Sequence, residues 1–269
     1  MTDASAANRL SGDEIHAYWR EQASEHGLSP AASWSDVRVI ELEVATIGPY
    51  LARARALDVG CANGYSSIRF AAEHDADVLG IDYVEEMIEA AEKRRSGLPP
   101  PIRERVEFRV GDVRSLELAD GEYERVVSTR VMINLGDWEG QQQGLRECVR
   151  VLRPGGLLLL SEATVGGWSR LNALRREWGL DEIPMPGFNI YLREEAVVAL
   201  LEPEAELVEL VDFASSYYVA TRVLKPLLAR AAEVPVDIAD PDAEFNRWAA
   251  RLPAAGDYGT QKLFVFRKR

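Results

Sequence analysis

The chain has 269 residues, enough for one large domain or for a core with a small appendage. A hydrophobic content of 47% is that of a globular protein, and a formal charge of −13 argues against nucleic acid, whose phosphates call for concentrated Lys and Arg. Only Cys61 and Cys148 are present, Met1–Asn8 lacks the basic head and apolar core of a leader, and no apolar run reaches membrane length. The expectation is a reduced, cytoplasmic protein that does not span a membrane. In chain order, a first helix starts at Ser11, where Ser11-x-x-Glu14 is a capping box. Ile15, Trp19, Gln22 and His26 then share one face, with Tyr18 beside them, until Gly27–Pro30 breaks the helix. A second helix from about Ser35 carries Val37, Ile40, Val44, Ile47 and Leu51, an apolar stripe that must pack on a core.

The next stretch carries the most information. Ala56-Leu-Asp-Val is a short apolar run ending near an acid, and Gly60-Cys-Ala-Asn-Gly64 then opens a helix. Such a loop brings bare backbone against a nucleotide-like ligand, because Gly60 and Gly64 lack the Cβ atoms that would block the turn or the approach. A second run, Asp77–Asp82, ends in an acid placed to accept hydrogen bonds from ribose hydroxyls. A helix over about Glu85–Arg95 turns Met87, Ile88 and Ala91 inward. A third run, Val106–Val110, leads into Gly111-Asp112-Val113, a fourth spans Tyr123–Arg130, and a helix follows over about 139–152. The turn Arg153-Pro-Gly-Gly156 precedes a fifth strand at Leu157–Leu160. A helix over Arg193–Leu201, a strand near Leu207–Phe213 and a last strand at Lys262–Phe266 complete the pattern. Strand alternating with helix means a parallel sheet covered on both faces. Singly, Asp58 or Asp112 reads equally well as a helix cap or turn residue, and Gly155-Gly156 as a plain turn.

Taken together, order and spacing resemble the class I, Rossmann-like S-adenosylmethionine-dependent methyltransferases of small-molecule type, over roughly residues 54–163 plus the final strand. The nicotinamide alternative is weaker, since the loop lacks G-x-G-x-x-G spacing and no Tyr-x-x-x-Lys pair follows. The resemblance implies an α/β fold: a seven-stranded, mostly parallel sheet with an antiparallel last strand, helices on both faces, an N-terminal helical lid and cap insertions. The corresponding division is a lid over 1–53, a cofactor-binding core over 54–163, a cap insertion over 164–192, core continuation over 193–213, a second cap over 214–259 and the final strand over 260–269. It also implies S-adenosylmethionine as cofactor and S-adenosylhomocysteine as product. Asp58, Gly60, Cys61, Ala62 and Gly64 would wrap the methionine end, Asp82 would hold the ribose, Asp112 with Val113 would meet the adenine, and Tyr83 and Met87 would also contact the cofactor. The main chain near Arg130 would face the methionine amino group. Two departures stand out: the family's middle loop glycine is Ala62, and Asn134 occupies a place where many relatives carry His.

Methyl transfer needs alignment of the nucleophile, exclusion of water and management of one proton. The candidate bases are His16 and His26 on the first helix and Glu162 at the end of the fifth strand; His74 reads as a surface residue. The aromatic-rich caps nominate Tyr18, Trp168, Asn189, Tyr191, Tyr217 and Tyr218 for substrate, although the same aromatics suit a second small core or a homodimer surface. No tight acid cluster has magnesium-site spacing, so no metal is expected. The expected activity is methylation of O, N or C of a small molecule. The alternatives are protein or peptide methylation and a non-catalytic cofactor-binding scaffold.

Overall fold

The computed structural model describes residues 11–269, so residues 1–10 of the expected lid lie outside the described range. The first helix, α1 (Gly12–His26), begins at the expected capping box: Ser11 Oγ accepts from the Glu14 amide at 3.3 Å, and Glu14 Oε2 accepts from the Ser11 amide at 2.7 Å. α2 (Val37–Ile47) buries Val39, Ile40, Val44 and Ile47. The core then runs β1 (Arg55–Val59), α3 (Tyr65–His74), β2 (Asp77–Asp82), α4 (Glu85–Ser96), a helical turn α5 (Pro100–Arg103), β3 (Val106–Val110), β4 (Tyr123–Thr129), α6 (Trp138–Arg150) and β5 (Leu152–Ala163). After it come α7 (Val165–Glu177), α8 (Glu194–Leu201), β6 (Ala205–Val211), α9 (Ser215–Val219), α10 (Lys225–Ala231), α11 (Glu244–Ala249) and β7 (Gln261–Lys268).

The strands form a seven-stranded sheet in the order β3-β2-β1-β4-β5-β7-β6, with β7 antiparallel to both neighbours and every other pairing parallel. The order reverses direction between β1 and β4, and in an open α/β sheet that switch point leaves a crevice at the strands' carboxyl ends. Alternation along the strands divides the core. Leu158, Leu160, Phe264 and Phe266 face one apolar layer with α6 and α8, whereas Leu159, Leu263 and Val265 face another with α2. β5 is longer than its apolar run suggests. It starts at Leu152 beside Tyr123, and the Arg153–Gly156 turn is absorbed as an irregularity before Arg125 meets Leu157.

The segment over 214–259 completes the α2 side of this core. Phe213, Tyr217, Tyr218, Val223 and Ala249 join Val44, Leu51 and Leu159 in one buried cluster. Its helical stretch begins at Ser215, and Ala220–Leu224 is a wider, π-type turn joining α9 to α10. Arg222 is buried there against Asp36 and between the Tyr217 and Tyr218 rings, whose centroids lie 5.3 and 4.4 Å from its guanidinium. No helix among the described residues is long and apolar enough to cross a membrane.

Candidate functional site

A cavity of about 480 Å³ lies at the carboxyl ends of β1, β2, β3 and β4. The loop after β1 forms its floor because it combines three left-handed residues, Gly60 at φ 69°, Ala62 at 46° and Gly64 at 73°. A Cβ on Gly60 would stand 2.1 Å from Val131 Cγ2, and one on Gly64 would stand 2.5 Å from the Phe108 ring. Both positions therefore require glycine for space as well as for backbone conformation. Ala62 holds the third left-handed position against its own Cβ, a mild strain of the kind found at ligand sites.

Acids cap the strand tips. Asp58 is 1% exposed and accepts from Ser67 Oγ at 2.5 Å. Burial pushes its carboxyl up to about 7. Asp82 accepts from the Ala62 amide at 2.9 Å and the Val84 amide at 3.0 Å, so one carboxylate ties the glycine loop to the start of α4. Burial raises it to about 6 despite those bonds. Each Asp82 oxygen keeps acceptor capacity toward the cavity, as a vicinal diol requires. At the tip of β3, Asp112 takes a forked ion pair from Arg114 (2.6 Å to Oδ2) and the Arg114 amide at 2.8 Å.

α1 forms one wall of the cavity through Gly12, Ile15 and Trp19. It is pinned to the same loop: buried Asn63 donates through Nδ2 to the carbonyls of Gly27 (2.9 Å) and Ser29 (2.7 Å). Arg20 and Glu86 add an exposed ion pair between α1 and α4. Leu135, Asp137, Glu139 and Gln143 close the far side.

Of the sequence-nominated cofactor residues, Asp58, Gly60, Cys61, Ala62, Asp82, Tyr83, Met87, Asp112, Val113 and Arg130 line this cavity, while Gly64 shapes the loop from behind. The nominated bases do not line it. His16 stacks near Tyr83, ring centroids 5.1 Å apart, and His26 closes the last turn of α1. Glu162 is fully buried and turned toward the loop after β4, accepting from the amides of Val131 (2.8 Å), Met132 (2.9 Å) and Ile133 (3.4 Å). Its carboxylate is spent on that turn, so the crevice-mouth base expected of it is corrected to a backbone anchor. Burial raises it to about 8 against the pull of those amides. His74, expected at the surface, is half-buried, with its ring filling the space beside Gly48.

The nominated substrate residues scatter. Tyr217 is a core residue, donating to Asp36 Oδ1 at 2.8 Å, and Tyr218 packs beside it, so neither reaches the cavity. Trp168 donates to the Ile183 carbonyl inside its own segment, and Tyr191 packs half-buried against the β4–β5 side of the core. Tyr18 stacks on Phe188 at 4.9 Å, joining the lid to the 164–192 segment. Asn189 donates to Asn134 Oδ1 at 2.8 Å, and Asn134, itself on the cavity wall, donates to the Arg130 carbonyl at 2.7 Å. Trp19, Ser33, Arg114 and the residues 135–143 were not nominated. Only Trp19, four residues after Ile15 on one helix face, carried a legible signal. Among the described residues no group of His, Cys, Asp or Glu side chains gathers in metal-binding fashion.

A family model described as a methyltransferase domain matches residues 56–156, the span that holds the glycine loop and all the acid-tipped strands. Residues 56–156 are thereby similar to a methyltransferase domain. The 27-O-demethylrifamycin SV methyltransferase of Amycolatopsis mediterranei is 30% identical over 59% of this chain and 54% of that protein. Methyltransferase GfsG of Streptomyces halstedii is 31% identical over 58% of this chain and 52% of its own length. The chain thus spans about half the length of these curated relatives. The magnesium protoporphyrin IX methyltransferase of Synechocystis PCC 6803, solved with bound SAH, shares the fold at 16% identity and a TM-score of 0.57, covering 96% of this chain and 95% of that one. S-adenosylmethionine is the cofactor that this similarity implies, and the residues present fit it. Gly60 leaves room that a Cβ would fill, acids stand at the strand tips, and Arg130 presents a buried donor without a partner.

Proposed function

We propose that the protein transfers a methyl group from S-adenosylmethionine to O, N or C of a small-molecule metabolite or natural product. One observation carries this reading: the glycine-floored, acid-tipped cavity at the switch point is roofed by the protein's own first helix. Among the described residues five acids and two arginines line it, a balance that favours a cationic ligand over an anionic one. Asp82 would hold the ribose hydroxyls, Asp112 and Val113 the adenine edge, and Asp58 with the 60–64 loop the methionine end. The bound cofactor would supply a methyl on a sulfonium, and the chain's task is then to bind, orient and exclude water. Trp19 and Ile15 line the α1 side of the cavity, and Asn134, fixed by Asn189 and the Arg130 carbonyl, puts a neutral amide on its wall. Such a wall suits an acceptor whose nucleophile is already neutral amine or ionised hydroxyl.

One relative named as a 27-O-demethylrifamycin SV methyltransferase and another as an O-methyltransferase support a small-molecule acceptor, and a cavity walled by the chain's own first helix favours small molecules over peptides. A cytoplasmic setting accords with Cys61 and Cys148, both buried and unpaired. The test is calorimetric titration with S-adenosylmethionine and S-adenosylhomocysteine, followed by an acceptor screen read by S-adenosylhomocysteine formation. Binding without turnover on any polyketide, phenol or amine acceptor would favour the scaffold alternative.

A further inference from the structure

A second cavity, of about 250 Å³, lies between α2 and α11, away from the strand tips. Three arginines and one acid line it: Arg38 and Glu41 of α2, and Arg247 and Arg251 at the end of α11, together with Leu42 and Ala250. Arg38 is already positioned. Its Nε donates to the Pro241 carbonyl at 2.9 Å and its Nη1 to Glu41 Oε2 at 2.7 Å, which leaves Nη2 without a partner among the described residues. Arg247 and Arg251 follow one helical turn apart, and neither side chain makes a hydrogen bond or ion pair among the described residues. An acid is at hand for Arg247, since Glu244 stands three residues before it on α11. Elsewhere that spacing is used: Glu92 pairs with Arg95 at 3.1 Å, and Glu147 with Arg150 at 2.7 Å. Here the guanidinium lines the groove instead. Three like charges around one carboxylate repel one another, and a bound anion relieves that repulsion. The formal charge of −13 over the whole chain does not cancel this local excess, because charges beyond about 8 Å are largely screened at physiological ionic strength.

We propose that the groove between α2 and α11 binds a small, multiply charged oxyanion of the phosphate class, with Arg247 and Arg251 as free donors and Arg38 as a fixed one. A planar carboxylate takes a single guanidinium fork, whereas a tetrahedral oxyanion offers oxygens to guanidinia arriving from two different helices. The site goes beyond methyl transfer, for none of its residues lines the cavity at the strand tips. It shares one element with that cavity, because the buried face of α2 presents Glu43 to Arg130.

The experiment is calorimetric titration of the full chain with pyrophosphate, inorganic phosphate and citrate in a phosphate-free buffer. Pyrophosphate should bind with a Kd below about 1 mM, more tightly than citrate, and its affinity should fall as sodium chloride is added. In Arg247→Gln/Arg251→Gln, which alters two exposed side chains, that affinity should drop roughly tenfold or more, the scale of lost charge-assisted hydrogen bonds. Arg267→Gln/Arg269→Gln removes the same charge from two exposed residues at the chain's end and should leave pyrophosphate binding unchanged. Glu41→Gln deletes the groove's one acid and should tighten it. No binding in the millimolar range, equal losses in the groove and chain-end variants, or citrate bound as tightly as pyrophosphate overturns the assignment. So does concentration-dependent self-association in sedimentation that the groove variant abolishes and pyrophosphate does not displace, since the groove then holds an acid of a second copy.

Discussion

Asp82 offers the sharpest test of how the site works, because its one carboxylate has both a structural and a proposed ligand role. Its oxygens accept from the Ala62 and Val84 amides at 2.9 and 3.0 Å, and the side chain is 7% exposed. Asp82→Asn keeps the shape, but its amide can accept only one of those bonds and turns an N–H toward the other donor. Leaving one buried backbone N–H unsatisfied costs about 1–3 kcal/mol. For a chain of this size that lowers Tm by roughly 2–12 °C, at about 2–4 °C per kcal/mol. Burial works in the opposite sense on the native aspartate. With its pKa raised from 3.8 to about 6, ionisation disfavours the folded state, so the stabilisation present below pH 3.8 is lost as pH rises through about 6. The advantage of the unaltered protein over Asp82→Asn should therefore narrow across that window. Cofactor affinity should change differently, falling by about 1–3 kcal/mol in the variant near neutral pH as the diol acceptors are lost. In the unaltered protein it should weaken as pH drops through about 6. Thermal melts from pH 4 to 8 and calorimetry with S-adenosylhomocysteine read both effects. A folded Asp82→Asn protein with unaltered affinity would refute the ribose assignment, and a stability gap that widens with pH would refute the burial argument.

Glu162→Gln should flatten the fall in stability with rising pH that a carboxyl raised from 4.5 to about 8 imposes on the folded state; melts with an unchanged slope over pH 5–8 would show that its charge is relieved in another way. Gly60→Ala drives a Cβ to 2.1 Å from Val131 Cγ2 at a left-handed φ, so cofactor binding should be lost, with stability lower by about 1–3 kcal/mol. The paired Gly60→Ala/Val131→Ala protein should recover part of that stability in denaturant titration, and no recovery would assign the cost to backbone conformation alone. Trp19→Ala removes a lid wall that packs with Ala23, Val84 and Met87, and S-adenosylhomocysteine should dissociate faster while the sheet core melts at nearly the same temperature. Stopped-flow release rates equal to those of the unaltered protein would mean that the lid does not retain ligand.

The cavity at the strand tips was legible because its wall is built from neighbours in sequence. Gly60 and Gly64 announce a left-handed loop, and Asp82 and Asp112 end apolar runs whose parallel pairing aligns their tips. Ala62 shows the limit of that legibility: a non-glycine at φ 46° tells nothing from its side chain of the loop it holds. The acceptor side was misjudged for a different reason. Aromatic residues in the long insertions looked like substrate contacts, yet Tyr217 and Tyr218 fill the α2 face of the sheet, and residue type alone does not distinguish a pocket wall from a core filler.

What the sequence determined by itself was the alternation of strands and helices, the turn chemistry and the placement of acids at strand ends, because local periodicity and backbone sterics set these within a few residues. Long-range contact decided the rest. Glu162 was turned from the crevice to cap three amides across the sheet, and Arg130 was locked against Glu43 from a helix far earlier in the chain. Asn63 was recruited to tie down the lid. Each of these is a buried polar group choosing its partner, and that choice depends on which donors and acceptors the folded chain leaves unpaired nearby.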